Sequence, residues 1–177
     1  GSYVFSNLII DIATTYYGCR PSITGCYLMK SFVNELPEAG FNLFHSDTQS
    51  YRFIKFFFYL NDVEQDGGPF CYVPQSHRRK PLGWRANNTR SLTDIEGCYG
   101  AGSALKLTAK IGDLIVADTT GFHRAEKPKQ EARYALMVNT GIHPIPHTIA
   151  MTPRISRTQF ERLSAKQREI ADFMQIV

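Results

Sequence analysis

The two ends of the chain are patterned for helices and its middle for strands. In YVFSNLIIDIATTYYG, Val4, Leu8, Ile12 and Tyr16 recur one helical turn apart and Gly18 follows, which predicts an amphipathic helix closed by a C-terminal glycine. RTQFERL and SAKQREIADFMQIV place Phe160, Leu163, Ile170, Phe173 and Met174 at helical spacing, with Ser164 and Gln167 spaced as a capping box. Between the ends, ITGCYLMKSF, FNLFHS, YRFIKFFFYLNDV, PFCYVP, ALKLTA, GDLIVAD and RYALMVNTG are strand-like runs bounded by Gly, Pro, Asn and Asp. About seven or eight strands with no helical pattern between them predict a mainly β fold, an antiparallel sandwich or jelly roll with flanking N- and C-terminal helices.

The aromatic run is informative when read by parity, because successive side chains of a strand face opposite sides. Ile54, Phe56, Phe58 and Leu60 are all apolar and suit packing against helices. The other face carries Phe53, Lys55, Phe57 and Tyr59. A lysine among large rings needs an anionic partner, so this face is expected to line a cavity that holds an anion. The segment 76–102, beginning SHRRKPLGW, is too long for a hairpin turn and holds Arg78, Arg79, Lys80, Arg85 and Arg90 before its first acid, Asp94. Long loops in compact domains tend to be lids or binding loops.

Composition narrows the classes. A chain of 177 residues that is 43% hydrophobic fits one domain over residues 1–177 with a single sizeable core. The net charge of +4 lacks the concentrated basic face of a nucleic-acid binder. No run of about 18 apolar residues is present for a membrane span. Cys19, Cys26, Cys71 and Cys98 are irregularly spaced without a C-x-x-C pair, so reduced thiols and a cytoplasmic location are expected.

The candidate chemistry begins in FHSD. His45 and Asp47 stand at i and i+2, on one face of an extended segment. A third ligand comes from GDLIVADTTGFHRAEKP, where His123 follows a strand and a Thr-Thr-Gly turn. Two histidines and one carboxylate form the facial triad of non-haem Fe(II) oxygenases, which leaves coordination positions open. Ten residues later Arg133 heads RYALMVNTG, and on its face the small Ala135 and then Met137 leave room beside a guanidinium able to hold a carboxylate bidentately.

In order along residues 8 to 141, YYGCRPSI, FHSD, RFIKFFFYLNDVEQDGGPFCYVPQSHR, GDLIVADTTGFHRAEKP and RYALMV resemble the phytanoyl-CoA dioxygenase-like family of Fe(II)/2-oxoglutarate-dependent oxygenases. The resemblance implies a double-stranded β-helix of cupin type, with Fe(II) on His45, Asp47 and His123 and the far carboxylate of 2-oxoglutarate on Arg133. It implies O2 as co-substrate, decarboxylation of 2-oxoglutarate to succinate and CO2, and hydroxylation of an unactivated C–H bond of a small molecule. Relatives that halogenate lack the carboxylate that Asp47 supplies, so its presence argues for hydroxylation. The family's Pro-Gly-Ser-His turn reads VPQSHR here, with Gln75 in the glycine position. The helical portion that usually precedes the sheet is short, which fits a compact member or a trimmed start.

Other residues divide between binding and bland roles. Lys55 and, on the first strand, Lys30 are candidates for a carboxylate of 2-oxoglutarate; Lys55 can equally pair with an internal acid or reach the surface. Tyr51 and Thr48 flank the triad segment and can orient ligands or substrate. Arg78 and Trp84 in the basic loop suit an anionic or thioester-linked substrate and a stacking contact, against a solvated loop and a loop anchor. His77 reads as a turn residue, and His143 and His147, beside prolines, as structural. Two further function classes stay open: a cupin-like sensor that binds iron and 2-oxoglutarate without turnover, and a non-metal jelly-roll binding module such as a lectin.

Overall fold

The structure, a computed structural model, describes residues 4–48, 50–84, 89–144 and 152–177, the side chains of Tyr51, His143 and Pro144 apart. The expectations for His147, Arg85 and the side chains of Tyr51 and His143 therefore lie outside the described residues.

Helix α1 spans Asn7–Tyr17. Its Ser6 N-cap accepts from the Ile9 N–H, and Gly18 closes it in the left-handed region at φ 72°, donating to the Thr14 carbonyl at 2.8 Å. Ile9, Ile10, Ala13 and Tyr17 form its buried face. The strands are β1 (Ser22–Ser31), β2 (Ser50–Tyr59), β3 (Phe70–Tyr72), β4 (Leu105–Leu107), β5 (Leu114–Asp118), β6 (His123–Ala125), β7 (Arg133–Pro144), β8 (Arg154–Ile155) and β9 (Gln175–Ile176). They form an antiparallel sheet in the order β1-β7-β2-β5, a second antiparallel sheet β4-β3-β6, and a small parallel pair β8-β9. This is the jelly roll that the strand pattern predicts.

The two faces of the larger sheet do different work. On one, Ile54, Phe56, Phe58 and Val138 are buried against Ile9, Ile10 and Ala13 of α1 and against Ile170 from the C-terminal end. Burying a ring such as Phe56, with no exposed surface, stabilises the fold by about 1.5–3 kcal/mol. Tyr17 fastens the helix to this face: its hydroxyl donates to the Thr140 carbonyl at 2.8 Å and accepts from the Ile54 N–H at 2.9 Å. The opposite face, where β2 presents Lys55, Phe57 and Tyr59, lines a cavity between the two sheets. Leu60 lies past the end of β2 and is exposed.

Three local expectations need correction. FNLFHS is no regular strand: Gly40–Asn42 form a single 3-10 turn. Phe44 then pairs with Arg90 and its neighbour His45 with His123, so consecutive residues bond to different segments and no ladder extends. The segment 76–102 contains helix α2 (Leu92–Tyr99), opened by a capping box of Ser91 and Asp94. Only Ile95 of that helix is buried, which leaves little apolar periodicity to read. At the C-terminus, α3 (Arg157–Glu161) and α4 (Ala165–Ile170) are short, and α4 stops before residues 175–176, which pair with β8 instead. The Ser164–Gln167 capping box is as expected. The turn at Gln75, whose geometry the sequence leaves open, holds that residue at φ 63°, in the left-handed region that favours glycine.

Candidate active site

The triad is assembled by the backbone. His45 and His123 exchange two N–H···O bonds of 2.9 Å, and the Asp47 N–H donates to the Thr119 carbonyl at 2.8 Å. Each histidine is oriented in the same way. The Nδ1–H of His45 donates to the Leu43 carbonyl and that of His123 to the Gly121 carbonyl, each at 2.9 Å and each two residues back. A carbonyl only accepts, so Nδ1 carries the proton and the Nε2 lone pair is left for the site. The two rings lie 4.3 Å apart between centroids. One ligand atom from each of His45, Asp47 and His123 falls within 4.8 Å of the others.

Electrostatics suit a cation. Burial pushes His123 down to about 3, against the pull of Asp47, so its ring is neutral near pH 7 and able to ligate. Burial would raise the Asp47 carboxyl, but Lys55 and then His123 outweigh it and hold it at about 2, ionised. Its Oδ2 lies 2.8 Å from the Lys55 ammonium and 3.5 Å from His123 Nε2. Even so, that oxygen receives no well-directed hydrogen bond. Two imidazoles with Nε2 turned to the site, an ionised carboxylate and an under-satisfied buried oxygen form a donor set that fits a divalent transition metal.

The cavity beside the triad holds about 300 Å³ and is organised in rows by strand register. Across β1, β7 and β2, Met29, Ala135 and Tyr59 form one row, and Tyr27, Met137 and Phe57 the next. At one end, Arg133 opposes Ser31. Its guanidinium is buried, donates to the Gly68 carbonyl through Nη1 and to Ser31 Oγ at 2.8 Å through Nη2, and leaves Nε without a partner. Burial pulls its pKa below the ordinary value, opposed by the Tyr59 phenol. Gly68 must be glycine here: φ is 73°, and a Cβ would lie 2.6 Å from Pro128 N and 2.7 Å from the Glu126 carbonyl oxygen. No carboxylate among the described residues forms an ion pair with Arg133. A buried cation held only by neutral oxygens, with one N–H unused, fits a ligand carboxylate.

The remaining candidates separate clearly. Lys55 lines the cavity and is buried, paired with Asp47. Lys30 does not reach it. Its parity places it on the opposite face of β1, where its amine sits 4.7 Å from the Phe32 ring centroid and 5.2 Å from that of Tyr134. Ser31, one residue on, has the inward position. Arg78 is exposed and does not line the cavity. Trp84 packs edge-on against Phe122 at 5.2 Å, with Arg90 over its ring at 4.7 Å, which anchors the loop. His77 approaches the Tyr72 hydroxyl at 3.4 Å, as a turn residue would. Reasoning from residue type missed Ser31, Tyr27, Asn139 and Phe41 as lining or supporting groups; strand parity would have found the first three. The aromatic Phe41, edge-on to His45 at 5.5 Å, sits on the irregular segment and has no such signal.

The jelly roll thus brings a His-x-Asp pair, a distant histidine and a buried arginine to one cavity. Residues 24–132 match the family described as Phytanoyl-CoA dioxygenase (PhyH), and the chain belongs to that family. Solved structures share the fold. The non-heme alpha ketoglutarate dependent carbocyclase SnoK from nogalamycin biosynthesis aligns with TM-score 0.63 and 23% identity over 78% of this chain and 56% of its own. HygX from Streptomyces hygroscopicus, with nickel and 2-oxoglutarate bound, aligns with TM-score 0.58 and 18% identity over 80% of this chain and 64% of its own. AviO1 from Streptomyces viridochromogenes Tue57 gives TM-score 0.57 and 13% identity over 78% of this chain and 58% of its own. The chain thus spans less than two thirds of the length of these structures. No curated protein matches the sequence.

Proposed function

We propose that this chain is the catalytic domain of an Fe(II)- and 2-oxoglutarate-dependent dioxygenase that hydroxylates an unactivated C–H bond of a small molecule. The observation that carries the reading is a single cavity lined both by the His45, Asp47 and His123 cluster and, from β7 of the larger sheet, by a buried guanidinium without an acidic partner among the described residues. That HygX has been solved with iron, and with nickel and 2-oxoglutarate, supports the cofactor pair.

His45, Asp47 and His123 would hold the metal, and Arg133 the distal carboxylate of 2-oxoglutarate. Iron and 2-oxoglutarate together supply oxidative decarboxylation to succinate and CO2 with transfer of one oxygen atom of O2 into a C–H bond. Asp47 would supply the carboxylate that halogenating relatives lack, which favours hydroxylation. The carbonyls of Leu43 and Gly121 fix both imidazoles before any ligand arrives, so little reorganisation is required. Ala135 keeps the path from the triad to Arg133 open, while Phe57, Phe70 and Met137 exclude water from it.

The substrate is a small molecule, and HygX has also been solved with hygromycin B bound. Recognition of an anionic or thioester-linked group through Arg78 and Trp84 has little geometric support, because Arg78 is exposed and Trp84 is packed into its own loop. Four free cysteines fit a reducing, cytoplasmic setting, and no helix among the described residues is long and apolar enough to cross a membrane.

The test is succinate formation from 2-oxoglutarate with Fe(II), ascorbate and O2, read with and without candidate small molecules. Slow succinate release that a substrate accelerates, and that His45→Ala abolishes, is expected. Undiminished release in His45→Ala would sink the assignment, and Fe(II) binding without release under any substrate would make the protein a sensor.

A further inference from the structure

The row of the cavity farthest from Arg133 has its own polar chemistry. Asn139 stands on β7 between Gly25 of β1 and Lys55 of β2. It is six residues from Arg133 on the same face, ~20 Å along an extended strand. A 2-oxoglutarate anchored on Arg133 and reaching back to the triad leaves that row to the substrate. This division of the cavity is the one point at which the inference rests on the dioxygenase reading.

Asn139 lines the cavity with only 4% of its surface exposed, and its Oδ1 has no hydrogen-bond partner. Leaving a buried carbonyl oxygen unsatisfied is costly unless a ligand supplies the missing donor. Beside it lies the Tyr27 phenol. A Cβ on Gly25 would be 2.5 Å from the Tyr27 ring, 2.9 Å from its hydroxyl and 3.0 Å from the Asn139 amide nitrogen. The glycine, at an irregularity in the β1–β7 register, is therefore what lets the Tyr27 ring fold back against Asn139. The nearest charge, Lys55, is already matched by Asp47 at 2.8 Å. The polar groups left over in this row are neutral.

From this the geometry points to a substrate-recognition subsite at Asn139 and Tyr27 that takes a hydroxyl group on an otherwise apolar molecule and discriminates against a carboxylate. The hydroxyl hydrogen satisfies Asn139 Oδ1, and the hydrocarbon body lies against the Tyr27 ring and towards Phe41, away from the path to Arg133. A carboxylate there would face a second acceptor oxygen with no free cation to offset it.

Binding of three matched probes tests this: 2-naphthol, naphthalene and 2-naphthoate, titrated by ligand-observed NMR against the protein saturated with Zn(II) and 2-oxoglutarate, so that Arg133 is already occupied. The expected result is 2-naphthol tighter than either other probe by at least about fivefold, the worth of one net hydrogen bond, with the advantage over naphthalene falling below about twofold in Asn139→Leu. Asn139→Ala carries the same test should the larger side chain prevent folding, as judged by circular dichroism. Tightest binding of 2-naphthoate, equal binding of 2-naphthol and naphthalene, or a 2-naphthol advantage that survives the substitution would each overturn the subsite. Anaerobic addition of Fe(II) and 2-oxoglutarate to the unaltered protein separates the two readings. Absence of a charge-transfer band there counts against the dioxygenase, whereas the probe series decides the subsite.

Discussion

Two cations are buried in the same cavity wall, and their surroundings differ in one respect. Lys55 has a carboxylate at 2.8 Å; Arg133 has a carbonyl and a hydroxyl, and an N–H with no partner. Both are removed from water, so both carry a desolvation cost that something must offset. For Lys55 the offset lies within the chain, on Asp47, which also belongs to the proposed metal triad. It acts as an internal counter-ion that keeps Asp47 ionised before a metal arrives. For Arg133 the described residues supply only neutral oxygens, and on the proposed reading the missing negative charge comes from a ligand. On the proposed reading, equal burial therefore means structure in one case and recognition in the other.

The comparison breaks most visibly at Lys55. Lys55→Met leaves the Asp47 carboxylate buried without its counter-ion and should destabilise the metal-free protein by about 3–5 kcal/mol in chemical denaturation. A divalent metal supplies the lost charge, so saturating Mn(II) should restore more stability in Lys55→Met than in the unaltered protein. Equal metal stabilisation in the two would contradict the counter-ion role. At the other cation, Arg133→Leu should barely move the Fe(II) affinity but weaken 2-oxoglutarate binding about 100-fold, near 3 kcal/mol, as measured by isothermal calorimetry.

Acid sharpens the picture of the triad end. An unfolded imidazole binds its proton near 6.5, whereas buried His123 does so only near 3. Between those values the unfolded chain holds the extra proton, so stability falls as pH falls, at about 1.4 kcal/mol per pH unit. Asp47, whose carboxyl drops from 3.8 to about 2 on folding, adds a loss of the same sign below pH 4. Urea titrations of metal-free protein between pH 7 and pH 4 should show this slope, and His123→Gln should flatten it. The smallest effect belongs to Ser31→Ala. Losing one of two neutral acceptors of the guanidinium should lower 2-oxoglutarate affinity by only about threefold.

Much of this was legible in the sequence, and the exceptions share a cause. The triad, Arg133 and the division of β2 into a helix-packing and a cavity face follow from residue type and from the two-residue period of a strand. Lys30 fails because its charge was weighed without its parity, whereas Ser31, Tyr27 and Asn139 are recovered once β1 and β7 are read in alternation. The segment bearing His45 was misjudged for a different reason. Phe44 and His45 bond to separate partners, Arg90 and His123, and long-range pairing of single residues leaves no periodic trace. Helix α2 was missed because its capping box opens a helix that buries one residue. Gln75 shows the reverse case, a left-handed backbone position filled by a residue other than the glycine that best tolerates it.

The most direct test of the central claim is an anaerobic titration of the metal-free protein with Fe(II) and then 2-oxoglutarate, followed in the visible spectrum. A chelated 2-keto acid gives a weak metal-to-ligand charge-transfer band. The account predicts that the band forms in the unaltered protein, is lost in His45→Ala, and in Arg133→Leu requires about 100-fold more 2-oxoglutarate. A folded, unaltered protein that binds Fe(II) and develops no band at any 2-oxoglutarate concentration would contradict it.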